Sequence, residues 1–369
     1  MQQRLVPIEN QQRRGRGRET LRHHETEWRD RQVFLQSQGY MLRPRLRPGW
    51  TPSWIRTGVD VLRAEDGATT PIRPDLVDAT RISDGRLVYL KRVNTEDTEY
   101  RIAKFLSSED LRRDPRNHSV PILDVFTDPI DKSVSYMVMP FLRLFNRPPF
   151  QFVGEILDLG EQLLEGLVFL HENGVAHRDC AQKNLMMDAD AMYPHGFHPV
   201  RDLYLPDGVT PAWPKSRLEK GVKYYYVDYG ISSLIPKDST NKLVTGTLGR
   251  DQEVPELSES IPYDPFKVDI FVLGNVFKEE IYDKYTNVGF LAPFILSMTK
   301  RRPEDRPNAQ QLLCQWQAMR RKFWAIQKHW MVVSCDGRLI DQLFWHVASV
   351  IRTAVHLIKW LSGGRYLGS

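Results

Sequence analysis

The stretch GVAHRDCAQKNLMMD, Gly174 to Asp188, follows an apolar helical pattern and opens a polar loop. Asn173-Gly174 is suited to ending that helix, because glycine accepts the left-handed backbone that a helix terminus needs. Within the loop, Asp179 and Asn184 stand five residues apart, with His177 and Arg178 just ahead of them. A carboxylate can take a proton, and an amide oxygen can ligate a hard cation. A polar loop of no special purpose could carry the same residues, so the neighbouring segments have to decide.

Downstream, VKYYYVDYG reads as an aromatic strand ending in a turn, with Asp228 exposed at its end and Gly230 free to turn sharply. Such a carboxylate can bind Mg²⁺ that bridges phosphates. Upstream, DATRISDGRLVYLKRV reads as two strands around an Asp84-Gly85 tip. Leu87, Tyr89 and Lys91 lie on one face of the second strand, with Val88 and Leu90 on the other. DTEYRIAKFLSSEDL then shifts to helical spacing, with Glu99 in the first turn and Ile102, Phe105 and Leu106 as the apolar stripe. A cation on a strand and a carboxylate on the next helix complete a set suited to positioning and neutralising phosphates.

The remaining pattern separates into two regions. VPILDVF and SVSYMVMPFL are further strands, so a small strand-rich lobe ends near Phe141. Helical signals dominate afterwards, over 152–171, 268–282, 287–299 and 307–326. Residues 188–222 are aperiodic and contain Pro and Gly, which marks a long loop or insertion. The tail 339–361 is amphipathic, and Asp341, Arg352 and Lys359 interrupt it too often for a transmembrane span. It would pack on the domain or lie on a membrane interface.

Charge is unevenly distributed. Residues 1–50 hold eleven Arg, no Lys and five acids, +6, whereas the rest of the chain sums to −1. The basic character belongs to an N-terminal arm that reads as disordered, either a solvated tail or a contact for nucleic acid or acidic membrane. Nucleic acid is not expected to bind elsewhere. Three scattered cysteines, Cys180, Cys314 and Cys335, are too few for a disulfide framework or a zinc site. Together with the absence of an apolar leader segment they suggest a reducing cytoplasmic or nuclear compartment.

Seven elements in order, from Lys91 through Glu99, HRDCAQKN, VDYG, VPE (Val254 to Glu256) and DIFVLG to RRPEDRP, resemble the eukaryotic protein kinase family between about Arg81 and Arg306. LDVF, NRPPF, GLVFLHENGVAHRD, NLMMD and YPHGFHP resemble more closely the protein kinase-like group of basidiomycete fungi. The resemblance implies a bilobal α+β fold, with a small strand-rich N-lobe carrying one main helix, a larger mostly helical C-lobe, and ATP in the cleft. On this basis the kinase-like domain spans 51–330, with the N-lobe to about 141, the C-lobe over 142–330, and a separate tail over 331–369. Lys91 would bind the α/β-phosphates and Glu99 would orient it. Asp179 would be the catalytic base, and Asn184 and Asp228 the Mg²⁺ ligands. Met139 would sit beside adenine, with the backbone of Pro140, Phe141 and Leu142 along its edge. Glu256 and Arg306 would pair, and Asp269 would brace the catalytic loop. The implied partner is a protein substrate, phosphorylated on Ser or Thr, with Tyr also open.

Five departures qualify that picture. No G-x-G-x-x-G precedes Lys91, so the usual backbone cover for phosphates is missing. Ala181 stands where a lysine is usual, and Lys183 could supply the charge. Asn184 and Asp228 are 44 residues apart, which places an insertion near the mouth of the site, and Glu256 and Arg306 are only 50 apart. Tyr229 replaces Phe in the metal-binding turn. A pseudokinase scaffold is therefore the alternative. A small-molecule phosphotransferase fits less well, given Arg178, Gly230 and VPE. Cys180 is either a redox-sensitive thiol or an inert one, His195 and His198 either metal ligands or loop residues, and Thr245 and Thr247 either phosphorylation sites or ordinary loop polarity.

Overall fold

The computed structural model describes residues 17–70 and 73–335. The amphipathic tail over 339–361 and the first sixteen residues of the basic arm lie outside them. Among the described residues no helix is long and apolar enough to cross a membrane. The fold is a mixture of helices and antiparallel strands that divides into two compact units. The first takes in the described part of Met1–Tyr100 with Pro121–Phe141 and Asp190–Lys215; the second takes in Arg101–Val120, Leu142–Ala189 and the described residues from Ser216.

The first unit is built on a five-stranded antiparallel sheet of β1 (Tyr40–Leu42), β2 (Leu76–Arg81), β3 (Leu87–Asn94), β4 (Asp124–Thr127) and β5 (Val134–Pro140), in the order β1-β2-β3-β5-β4. Gly85 turns the β2–β3 connection at φ +72°. Strand alternation puts Val88 and Leu90 into the core with Val77, Ala79, Tyr136 and Val138.

Covering that core is α1 (His23–Ser37), which contributes Trp28 and Leu35. The sequence reads residues 1–50 as a disordered arm; the structure folds this part of it. The difference has a physical reason. The buried stripe of α1 is Glu25, Trp28, Gln32 and Leu35, helically spaced but half polar, so it lacks the usual apolar signature. Its polar members are satisfied internally. Gln32 Oε1 accepts the Leu42 N–H at 2.9 Å, and fully buried Arg45 donates to both oxygens of fully buried Glu25, at 2.9 and 3.0 Å. A paired buried charge avoids the large cost of an isolated one.

Between β1 and β2, residues 43–70 carry short helical turns including Ser53–Thr57. Arg43 fixes them by donating to Asp78 Oδ2 at 2.7 Å and to the Ala68 carbonyl at 2.9 Å. Asp66 accepts from the Trp50 indole and from the Ser53 backbone and hydroxyl.

α2 (Thr98–Leu106) begins in the first unit and ends in the second, where α3 (Val153–Glu172) forms the core element. Its helical periodicity is carried by Ile156, Leu157, Leu163, Leu164, Leu167 and Leu170, all fully buried. Gly160 lets the Trp316 ring of a later helix approach so closely that a Cβ there would sit 2.0 Å from it. Gly174 ends α3 at φ +72°. The catalytic-type loop then leads into Leu185–Asp188, which pairs antiparallel with Lys223–Tyr226, so the predicted insertion is the long connection of a hairpin.

Candidate active site

In the first unit the Lys91 ammonium lies 2.5 Å from Glu99 Oε1, both side chains being nearly buried. The pair forms because β3 and the first turn of α2 present them to each other. Tyr89 and Lys91 share one strand face, with Met139 and Met137 as their cross-strand neighbours. Tyr89 stacks on Phe141 with ring centroids 4.3 Å apart. Phe197 from the insertion packs on Phe141 at 5.6 Å, and Tyr193 packs on Phe197 at 5.1 Å.

The insertion is fastened to residues 61–68. Arg201 donates to the Ala64 carbonyl at 2.9 Å and to the Gly208 carbonyl at 3.0 Å, and His198 Nε2 lies 3.2 Å from Glu65 Oε1. His198 Nδ1 accepts the Val200 and Arg201 N–H groups at 3.1 and 2.9 Å. Both ring nitrogens are thus engaged, so His198 serves the fold here. No cluster of three or more metal-ligating side chains occurs among the described residues.

In the second unit the loop around Asp179 is held by a fully buried carboxylate. Asp269 accepts the His177 and Arg178 N–H groups at 2.9 and 2.6 Å, and the His171 ring nitrogen lies 2.9 Å from it. Arg178 takes left-handed backbone at φ +64°, a conformation that a non-glycine residue holds only where its surroundings impose it. Its guanidinium donates to the Thr245 carbonyl and the Tyr263 hydroxyl at 3.1 and 2.8 Å. Thr247 bonds to Glu259 through its backbone and its hydroxyl.

Asn184 Nδ2 donates to Asp179 Oδ2 at 2.7 Å and to its carbonyl at 3.0 Å. These bonds leave Asn184 Oδ1 as a buried acceptor without a hydrogen-bond partner among the described residues. An orphaned buried oxygen is costly unless it finds a donor or a cation. The Val227 N–H donates to the Asn184 carbonyl at 3.0 Å, and the next residue, Asp228, sits in strained left-handed backbone at φ +68°. The Tyr229 hydroxyl finds the Tyr226 carbonyl at 3.3 Å. An amide oxygen and a carboxylate on tied segments suit a hard, oxygen-seeking cation such as Mg²⁺.

Lys183 is exposed, and the cation against Asp179 is Arg250, which sequence reasoning missed. The only hint was a basic residue in TLGRDQEVPE ahead of Glu256. Leu142 is buried within the second unit. Glu256 and Arg306 form a two-pronged ion pair at 2.5 and 2.8 Å. Burial pushes the Cys180 thiol well above its ordinary range, and the neighbouring Asp269 and Asp179 charges add to this, so it is an inert thiol at neutral pH.

Comparison with known proteins returns no matching family model. Over 158 residues, 42% of this chain, it is 25% identical to human calcium/calmodulin-dependent protein kinase type IV, of which that stretch is 27%. It is 28% identical over 142 residues to a serine/threonine-protein kinase of Arabidopsis thaliana, covering 37% of this chain and 25% of that one. Against the CTD kinase subunit alpha of Schizosaccharomyces pombe it is 30% identical over 112 residues, 28% and 18% of the two chains. The similarity is to Ser/Thr protein kinases. It supports a protein kinase relationship, and the chain spans about a quarter or less of the length of these relatives.

Proposed function

We propose that this chain is an ATP- and Mg²⁺-dependent protein kinase that transfers a γ-phosphoryl group to protein hydroxyls, Ser and Thr first and Tyr as the other acceptor class. The observation that carries the reading is the Asp179–Asn184 arrangement: a carboxylate oriented by a neighbouring amide whose own oxygen is left for a cation. In this reading Asp179 accepts the proton of the incoming hydroxyl, and Asp269 keeps the loop in place. Asn184 and Asp228 hold Mg²⁺, which supplies neutralisation of phosphate charge. Lys91, kept in place by Glu99, binds the α/β-phosphates, and Met139, Phe141 and Leu142 serve the adenine. The kinase-like domain would run to about 330 in two lobes, with α1 and β1 ahead of residue 51 belonging to the first of them, of the basidiomycete protein kinase-like type, and its place cytoplasmic or nuclear.

Incorporation of radiolabel from γ-labelled ATP into a generic acceptor, wild type beside Asp228→Asn, tests this. The variant should lose at least about a hundredfold in rate; equal incorporation by both proteins would remove the proposal.

A second reading, a pseudokinase scaffold, is favoured by two observations. Short helical turns over 44–67, not a glycine cradle, precede β2, while Tyr89, on the Lys91 face, is stacked on Phe141. Thermal shift with Mg²⁺ and ATP separates the two, since a ligand that binds the native state raises its midpoint. Strong Mg²⁺-dependent stabilisation counts against the scaffold.

A further inference from the structure

The charge absent at Ala181 has a replacement from a distant part of the chain. Arg250 approaches Asp179 twice: its backbone N–H donates to Oδ1 at 2.8 Å, and its Nε lies 3.4 Å from Oδ2. Its terminal nitrogens, Nη1 and Nη2, make no hydrogen bond among the described residues, and the side chain is 41% exposed. It lines a cavity of about 370 Å³ together with Ala181, Lys183, Asp251 and Asn275.

The backbone that carries Arg250 is built for this approach. Gly249 has φ +138°, and a Cβ there would meet the Arg178 carbonyl at 3.3 Å, so glycine allows the segment to lie against the loop. Gln252 ties back to the Gly249 carbonyl at 2.7 Å, and Asn275 holds Asp251 at 2.8 Å.

We propose that Arg250 is a catalytic residue: its free guanidinium edge contacts the phosphoryl group in transfer, while its Nε and backbone hold the base. This rests on the kinase reading above. In the step, the acceptor oxygen bonds to the γ-phosphorus, the bond from that phosphorus to the β,γ-bridging oxygen breaks, the hydroxyl proton passes to Asp179, and ADP leaves. The equatorial phosphoryl oxygens carry the negative charge throughout, and a planar, permanently charged fork suits them. Lysine could act only as a point charge, and Lys183 makes no ion pair with Asp179 among the described residues.

The test is steady-state phosphoryl transfer by the full chain as wild type, Arg250→Gln, Arg250→Ala, Arg250→Lys and Lys183→Gln. Near-UV circular dichroism and the thermal midpoint check that each variant is folded. Arg250→Gln should lower kcat by about a hundredfold or more with KM for ATP changed by less than about threefold. Arg250→Lys should recover part of the loss, and free guanidinium should partly restore Arg250→Ala, which a purely structural role would not permit. Loss in Lys183→Gln exceeding that in Arg250→Gln would overturn the assignment, as would an Arg250→Gln variant as fast as wild type or faster. A wild type that transfers no label removes the kinase reading and this inference together, whereas an active wild type with an equally active Arg250→Gln removes the inference alone.

Discussion

The Glu25–Arg45 pair decides whether the basic arm is part of the fold. Burial pushes the Glu25 carboxyl up, but the Arg45 hydrogen bonds and the N–H groups of Arg22 and Thr70 outweigh it and hold the group at about 2, against an ordinary 4.5. Those bonds measure 2.9 and 3.0 Å from Arg45, 2.9 Å from Arg22 and 3.0 Å from Thr70. Because the folded value is depressed, the stabilisation is complete above pH 4.5 and is lost as pH falls toward 2. The difference amounts to roughly 3 kcal/mol at neutral pH. Glu25→Gln keeps the shape, removes the charge and leaves Arg45 buried against a neutral amide. Urea unfolding followed by tryptophan fluorescence, with Trp28 on the same helix, should show the variant less stable by about that amount at pH 7. The gap should narrow steadily below pH 4.5. A gap that stays constant from pH 7 to pH 3, or one under about 1 kcal/mol at pH 7, would refute the reasoning.

Two further perturbations bear on the second unit. Asp269→Asn replaces one of two accepting oxygens with a donor facing N–H groups, and should cost roughly 3 kcal/mol in urea unfolding along with a fall in phosphoryl transfer; unchanged stability would mean that the loop is held by something else. Gly160→Ala forces a methyl into the fully buried Trp316 ring, whose Nε1 is tied to the Leu157 carbonyl at 3.1 Å. A loss of about 1–3 kcal/mol, read as a lower thermal midpoint, is expected, and an unaltered midpoint would contradict this packing.

Where a segment's burial followed a clean period, it was legible. Alternation marked β3, and the apolar spacing of 152–171 located α3 to within a residue at each end. The five-residue step from Asp179 to Asn184 was visible too, because both lie in one short loop. What escaped had its information in distant partners. Glu25 is explained by Arg45 and Thr70, the order of residues 43–70 by Arg43 meeting Asp78, and the place of the insertion by Arg201 meeting the Ala64 carbonyl. Arg250 belongs to the same class, since its meaning depends on a contact with a residue 71 positions away. Hydrogen bonds of that reach leave no local periodicity.

The fastening of the insertion to residues 61–68 also orders events during synthesis. A nascent chain released only as far as Phe141 contains every strand of the five-stranded sheet, and Tyr89 to stack on Phe141, but lacks Arg201, His198 and Phe197, which bring the insertion to Ala64, Glu65 and Phe141. The first unit therefore stays incomplete until Lys215 has been made, with α3 and the hairpin already begun. For as long as that takes, Phe141 keeps Tyr89 but lacks Phe197, and the Ala64 carbonyl keeps the Gly67 N–H but lacks Arg201, so the apolar surface left at Phe141 is open to other chains or to a chaperone.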